Sequence, residues 1–116
     1  LLIVKVLLQV ALKAADLGHS SMPLPIHQRW LSLLEEEMFR QGDLEKEKGM
    51  PLSLFADREK DGLSKSQAGF FRNVVRPLVQ SLVAVLPGVT PMLEMLDDNL
   101  AHWVKAEAKV ETEKNR

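Results

Sequence analysis

The sequence predicts an all-α protein, a bundle of helices, and two patterns support this fold class. Apolar residues recur at spacings of three and four over several long stretches, which places them on one face of a helix. No stretch alternates apolar and polar residues for long enough to form a strand. With 116 residues, 46% of them apolar and 27% charged, the chain has the size and composition of a single domain.

The first predicted helix covers the apolar run from Leu1 to Ala15. Lys5, Gln9 and Lys13 recur every fourth residue and form one narrow polar stripe along it. A helix that is apolar on all other sides is typical of a protein core, so we expect this helix to be buried. It is shorter than the ~18 apolar residues of a membrane span. Because the chain starts on this run without an initiator methionine, we expect it to be a fragment of a larger protein.

The second predicted helix begins at Pro23 or Pro25, since proline is tolerated in the first turn. Its apolar face is formed by Ile26, Trp30, Leu33, Leu34 and Met38. We expect it to end near Lys48, because Gly49 is a natural C-terminal stop. A polar, turn-rich loop is predicted from Pro51 to Leu63.

The third predicted helix runs from Ser64 to Leu86. Ser64 and Gln67 have the spacing of a capping box, in which each side chain bonds to the other's backbone N–H. Pro77 lies inside this helix and removes one backbone hydrogen bond. The sequence therefore predicts a kink or a bent turn between Asn73 and Pro77.

A fourth helix is predicted from Thr90. Its apolar face consists of Met92, Leu93, Leu96, Leu100, Trp103 and Val104. The last residues, 105–116, are mostly charged, and we expect this end to fray.

Charge and cysteine content exclude several classes of protein. The net charge of −1 and the absence of a basic stripe argue against binding to nucleic acid. Without cysteine the chain forms neither disulfides nor a thiolate zinc site, which fits an intracellular, cytoplasmic protein. It also lacks the Gly-x-Ser-x-Gly nucleophile elbow of α/β-hydrolases and a glycine loop for phosphate.

Asp16 is the strongest candidate for a functional residue. It is a carboxylate at the end of an apolar run, and burying such a charge is costly unless it is paired or binds a metal. His19 lies three residues later, within reach of a shared ligand, and His27 follows after a proline-rich turn. Spacing alone leaves two interpretations open, a metal ligand and an exposed aspartate at the end of a helix.

Several motifs in a fixed order carry a family resemblance. They are Ala15-Asp16-Leu17, Trp30, Glu36 to Asp43 with Glu45-Lys46-Glu47, Asp57-Arg58, and Ser66 to Phe70. In this order and spacing the chain resembles class I 3',5'-cyclic-nucleotide phosphodiesterases from about Leu2 to Trp103. The resemblance implies that residues 1–116 are the C-terminal portion of the multi-helix, HD-type catalytic domain of that family.

The resemblance implies a binuclear metal site. Asp16 matches an aspartate that binds the tightly held metal, usually Zn²⁺, beside a second Mg²⁺ or Mn²⁺. The remaining ligands and the histidine that acts as general acid are expected upstream, so no catalytic residue is assigned to this chain. We therefore expect the 116-residue chain alone to be inactive.

The resemblance also implies a purine pocket. Gln67 matches the glutamine that holds the base, Phe70 the aromatic residue that stacks on it, and Leu34 the aliphatic residue on the opposite face. Met38 lines the same pocket, and His19 and His27 match positions near the base and the pocket mouth. From the residues alone, Gln67 is equally a helix-capping side chain, and Phe70 and Met38 are core residues.

The implied function is hydrolysis of cyclic AMP, cyclic GMP or both to nucleoside 5'-monophosphates, by a hydroxide that two metals activate. Leu31, Met38 and Ser20 depart from residues that are common in the family, which leaves nucleotide selectivity open. The alternative is a catalytically incomplete helical module that acts as a nucleotide-binding or scaffold unit. The expected partners are the cyclic nucleotide and the remainder of the catalytic domain, and a homodimer is left open.

Overall fold

The computed structural model describes residues 1–116, and all of its regular structure is helical. The α-helices are α1 (Leu2–Asp16), α2 (Leu24–Glu47), α3 (Gln67–Phe70), α4 (Arg76–Val85) and α5 (Thr90–Lys114). Three short 3₁₀ segments, Gly18–Ser21, Leu63–Ser66 and Pro87–Val89, and one π-helical turn, Phe71–Val75, connect them. The all-α fold class is confirmed. None of the helices combines the length and the hydropathy that a membrane span needs.

Helix α1 differs from its prediction, because most of its apolar side chains face solvent. Leu2 is 75% exposed and Leu12 is 73% exposed, and Ala14 is the one buried residue of the helix. A helix that is apolar on nearly every side can bury only the side that meets a neighbour, and here that neighbour is α4. The expectation that α1 is buried in a core is wrong for this structure.

Helix α2 begins and ends close to its predicted limits. The backbone N–H of His27 donates to the carbonyl of Pro23 at 3.0 Å, which starts the helix after the first proline. At the other end, Gly49 has a φ of +66°. Glycine adopts this left-handed conformation without the steric cost that a Cβ would impose, so it terminates the helix as predicted.

The loop between α2 and α3 is bound to α2 by its charged side chains. Arg58 donates from Nη1 to Glu36 at 2.7 Å and from Nη2 to Asp43 at 2.9 Å. Lys46 pairs with Asp57 at 2.9 Å. These charged side chains therefore hold the loop along the helix.

The third predicted helix is divided by a π-helical turn at Phe71–Val75, immediately before Pro77. Proline has no N–H to donate to the carbonyl four residues earlier, at Asn73, so the regular pattern changes there. The structure thus has an irregular turn where the kink or bent turn was predicted. The predicted capping box is wrong, because Ser64 bonds instead to Glu35 of α2 and the start of α3 has no side-chain cap.

The core lies where the π-helical turn and α4 pack against α5. Its fully buried members are Phe71, Val75, Val79 and Leu96. Beside them Arg76 pairs with Asp97 at 2.8 Å, which joins α4 to α5. Helix α5 continues to Lys114, so the frayed end expected from residue 105 is not seen. Alanine, glutamate and lysine, which dominate this end, are strong helix formers.

Candidate functional site

Asp16 is the last residue of α1, and its side chain points into solvent. The carboxylate is 71% exposed, and its single ion pair is with Lys13, whose Nζ lies 3.9 Å away. The expectation of a costly charge pressed against apolar side chains is therefore wrong, because the carboxylate at this helix end faces solvent. A loose, exposed pair of this kind contributes about 0–1 kcal/mol. The carboxylate remains available to a cation.

The 3₁₀ segment after α1 brings His19 against His27 at the start of α2. Their Nδ1 atoms are 3.1 Å apart, the ring centroids are separated by 5.2 Å, and the two ring planes are nearly parallel. The sequence grouped Asp16, His19 and His27 as one candidate constellation. The structure joins the two histidines directly, whereas none of its hydrogen bonds or ion pairs joins Asp16 to either of them.

His27 is fully buried, and its other ring nitrogen is also bonded. Trp103 of α5 donates from its indole nitrogen to His27 Nε2 at 3.0 Å. The rings of Phe71 and His27 pack edge to face at a centroid distance of 5.4 Å. Burial, followed by the charge of the neighbouring His19, lowers the pKa of His27 to about 4. Burial also lowers the pKa of His19, which favours its neutral form.

Asn99 holds the backbone of the segment that carries His19. Its side-chain nitrogen donates to the carbonyls of Ser20 and Met22, at 2.9 Å and 2.8 Å. Asn99 is buried, and sequence reasoning missed it. A signal was present, because Asn99 lies three residues after Leu96 and four before Trp103. It is a polar residue on the apolar face of α5.

The four residues expected to line a purine pocket lie on two helices that Glu35 links. Gln67 and Phe70 belong to α3, and Leu34 and Met38 belong to α2. Glu35 accepts from the hydroxyl of Ser64 at 2.9 Å, which holds the turn of α2 that carries Leu34 beside the start of α3. Gln67 is buried, Phe70 and Met38 are half-buried, and Leu34 is exposed. The side-chain nitrogen of Gln67 donates to the carbonyl of Leu63 at 3.1 Å.

The acidic and histidine side chains of the chain form no group of three or more that could hold a metal ion. Carboxylate oxygen is a normal ligand of Zn²⁺, Mg²⁺ and Mn²⁺. Asp16, exposed and loosely paired, fits the role of one such ligand. The residues described here do not form a complete binuclear site.

Comparison with known protein families decides the assignment. Residues 3–96 match the model of the family described as 3'5'-cyclic nucleotide phosphodiesterase. The chain belongs to this family. The resemblance seen in the sequence motifs is therefore confirmed.

Individual phosphodiesterases are similar over most of the chain. A Drosophila melanogaster protein named 3',5'-cyclic-AMP phosphodiesterase, isoform F, is 39% identical over 90 residues, 77% of this chain. A mouse 3',5'-cyclic-AMP phosphodiesterase 4C is 33% identical over 79% of it. A Dictyostelium discoideum protein named cGMP-specific 3',5'-cGMP phosphodiesterase 3 is 35% identical over 84%. The aligned part is 14% of the Drosophila and mouse proteins and 21% of the Dictyostelium protein.

Proposed function

We propose that this chain supplies the purine pocket and one metal ligand of an enzyme that hydrolyses 3',5'-cyclic nucleotides to nucleoside 5'-monophosphates. The observation that carries the proposal is the family match over residues 3–96. Similar proteins bear the names of both cyclic-AMP and cyclic-GMP phosphodiesterases. The substrate in this proposal is accordingly cyclic AMP, cyclic GMP or both.

Asp16 is the metal ligand in this proposal. A divalent cation can displace the Lys13 ammonium at little cost, because the two side chains are exposed and 3.9 Å apart. When bound, a pair of divalent cations, Zn²⁺ with Mg²⁺ or Mn²⁺, activates water and stabilises the charge that develops on the phosphate. The other ligands and the general-acid histidine belong to the same catalytic domain, outside these 116 residues. The chain alone is then inactive.

Gln67 recognises the purine edge in this proposal. An amide nitrogen carries two N–H groups, and one of them is used by the carbonyl of Leu63. The second N–H and the Oε1 atom remain for the base. A purine edge that presents one acceptor and one donor pairs with these two groups.

The remaining pocket residues supply shape and stacking. The half-buried ring of Phe70 stacks on the base, which contributes about 1 kcal/mol in a site that excludes water. Leu34 covers the opposite face of the base, and Met38, one turn further along α2, extends that apolar wall. His19 lies at the edge of the base in this proposal. His27, the other histidine that the resemblance assigns to this end of the pocket, is fully buried and acts on the base through His19.

The test compares two aspartates in the intact protein. Asp16→Asn is expected to lower the bound metal and abolish hydrolysis of both cyclic nucleotides. Asp98→Asn changes an exposed aspartate of α5 in the same way and is expected to leave metal content and turnover unchanged. Full metal content and activity in Asp16→Asn would show that the ligand assignment is wrong.

A second comparison examines the base pocket. Gln67→Ala is expected to raise KM while the metals stay bound, whereas Gln80→Ala, on the exposed face of α4, serves as the control. An unchanged KM would show that Gln67 does not contact the base. If the unaltered protein bound nucleotides without hydrolysing them, the alternative function, a catalytically incomplete nucleotide-binding or scaffold module, would replace the enzyme.

A further inference from the structure

Three rings form one hydrogen-bonded row from α5 to the 3₁₀ segment. Trp103 Nε1 lies 3.0 Å from His27 Nε2, and His27 Nδ1 lies 3.1 Å from His19 Nδ1. His27, at the centre of the row, is fully buried, so water does not compete for either of its nitrogens. The positions of the protons in this row decide what His19 offers to a ligand.

The direction of the hydrogen bonds follows from the indole. An indole nitrogen donates and never accepts, so His27 Nε2 is the acceptor. A neutral imidazole with a lone pair on Nε2 carries its proton on Nδ1. This proton faces His19 Nδ1 and the backbone carbonyl of His19. A second N–H at His19 Nδ1 would oppose it, so His19 carries its own proton on Nε2.

We propose that Trp103 is a positioning residue that fixes the tautomers of His27 and His19, so that His19 presents an Nε2–H donor to an acceptor atom of the bound purine base. The part that concerns the base rests on the proposed function, and the part that concerns the tautomers does not. Trp103 acts on His19 through His27 and does not itself touch the ligand.

Two further features hold the three rings in these positions. Asn99, one turn before Trp103 on α5, fixes the carbonyls of Ser20 and Met22 next to His19. The rings of His19 and His27 are nearly parallel, with an interplanar angle of 8°. A single face of α5 therefore sets both the backbone of the His19 segment and the proton positions of the histidine pair.

The hydrogen bonds of the row require a neutral His27, and the buried position of this ring favours the neutral form. A protonated His27 would direct its Nε2–H at the indole N–H of Trp103, with two donors facing each other. Burial and the charge of His19 lower the pKa of His27 to about 4, which keeps the ring neutral at pH 7. When both rings are uncharged, what remains to be set is which nitrogen of each histidine carries the proton. The indole N–H of Trp103 sets this by donating to His27 Nε2.

The direct test is a measurement of histidine ring nitrogens by long-range ¹H–¹⁵N correlation in the intact, ¹⁵N-labelled protein at pH 7. The expected spectrum has His27 protonated on Nδ1 alone and His19 protonated on Nε2 alone. A His27 ring with its proton on Nε2, or with both nitrogens protonated, would overturn the proposal.

A pair of tryptophan variants tests the role of the indole. Trp103→Phe keeps an aromatic ring but removes the N–H, and both histidines are expected to populate mixed tautomers. Trp30→Phe alters the other tryptophan of the chain, which is 57% exposed, and is expected to leave the ring shifts unchanged. A merely structural role would not move His19, so unchanged His19 shifts in Trp103→Phe would contradict the proposal.

Benzothienylalanine at position 103 covers the case in which Trp103→Phe does not fold. This residue has the shape of tryptophan and carries sulfur in place of the N–H. The same mixed tautomers are expected, and unchanged ring shifts would again overturn the proposal.

Adenosine 5'-monophosphate serves as the probe for the base. Trp103→Phe is expected to weaken its binding about tenfold, the equivalent of one lost hydrogen bond, while Trp30→Phe binds as the parent does. Equal binding by Trp103→Phe and the parent would overturn the contact between His19 and the base. Failure of the unaltered protein to bind the nucleotide would instead overturn the proposed function and leave the tautomer assignment standing.

Discussion

The side-chain amide of Asn99 donates to the backbone carbonyl of Ser20 at 2.9 Å, although 79 positions separate the two residues in the chain. The same nitrogen donates to the carbonyl of Met22 at 2.8 Å. Asn99 thereby fastens the segment that carries His19 to α5. One turn further along the same helix, Trp103 bonds to His27.

Removal of the Asn99 amide is expected to destabilise the fold. Asn99→Ala leaves the carbonyls of Ser20 and Met22 without this donor, and an unsatisfied buried polar group costs about 1–3 kcal/mol. Urea unfolding followed by circular dichroism measures the change. Asn73→Ala, at an exposed position of the π-helical turn, is the control and is expected to stay within about 0.5 kcal/mol of the parent. Equal losses in the two variants would contradict the anchoring role.

The buried His27 predicts how stability depends on pH. Its pKa is about 4 in the folded protein against 6.5 for a free histidine, so the unfolded chain takes up a proton first as the pH falls. The free energy of unfolding is expected to decrease from pH 6.5 towards pH 4, by at most about 1.4 kcal/mol per pH unit from this residue.

His27→Gln supplies the comparison for that pH dependence. Glutamine does not titrate, so the stability of this variant is expected to change less steeply with pH in the same window. Denaturant unfolding at several pH values gives the two curves. Parallel curves for the parent and the variant would show that His27 does not contribute.

Gly42 is expected to tolerate no side chain. A Cβ at this position would collide with the backbone carbonyl of Ala56, which belongs to the loop and cannot rotate away. Gly42→Ala is therefore expected to cost about 1–3 kcal/mol in thermal or chemical unfolding, the usual range for overpacking. It displaces the loop from α2.

Gly69→Ala is the matched control for Gly42→Ala. A Cβ at Gly69 meets nothing within 4 Å, and alanine is favoured over glycine inside a helix by about 1 kcal/mol. This variant is expected to be as stable as the parent or more so. If both alanine variants lost stability equally, close approach of the loop at Gly42 would not be the cause.

Arg58 is expected to control the accessibility of the loop that precedes α3. It bonds to Glu36 and Asp43 at the same time, and these two carboxylates raise the pKa of its guanidinium. Arg58→Ala removes both contacts, so chymotrypsin is expected to cleave faster at the loop residues Leu54 and Phe55. Because the contacts are exposed, high salt is expected to accelerate cleavage of the parent as well.

Arg29→Ala is the control for the loop experiment. Arg29 is an exposed arginine of α2 without an ion pair, so its removal is expected to leave the cleavage rate unchanged. Identical cleavage rates in the two arginine variants would show that Arg58 does not hold the loop against α2.

The elements that could be predicted are those whose signals are local in the sequence. Apolar spacing and two prolines located α2, Gly49 ended it, and Pro77 predicted the irregular turn at Phe71–Val75. Each of these depends on residues within one or two turns of one another. The family motifs were likewise readable as strings, and the match over residues 3–96 confirmed them.

The exposure of α1 and the construction of the histidine pair could not be predicted. The apolar run of α1 was read as a core helix, but the side of a helix that is covered depends on which other element meets it. His19 and His27 were recognised as candidates. Their direct contact depends on Asn99 and Trp103, more than 70 positions away from the residues they bind.

The sequence by itself determined the helical class, most helix limits and the family, because all three are encoded by residue types at short, regular spacings. The tertiary structure alone decided that the Asp16 carboxylate is open to solvent and that His27 is a buried, neutral link between Trp103 and His19. Burial of a side chain, and a hydrogen bond between residues far apart in the sequence, arise only when distant segments pack together.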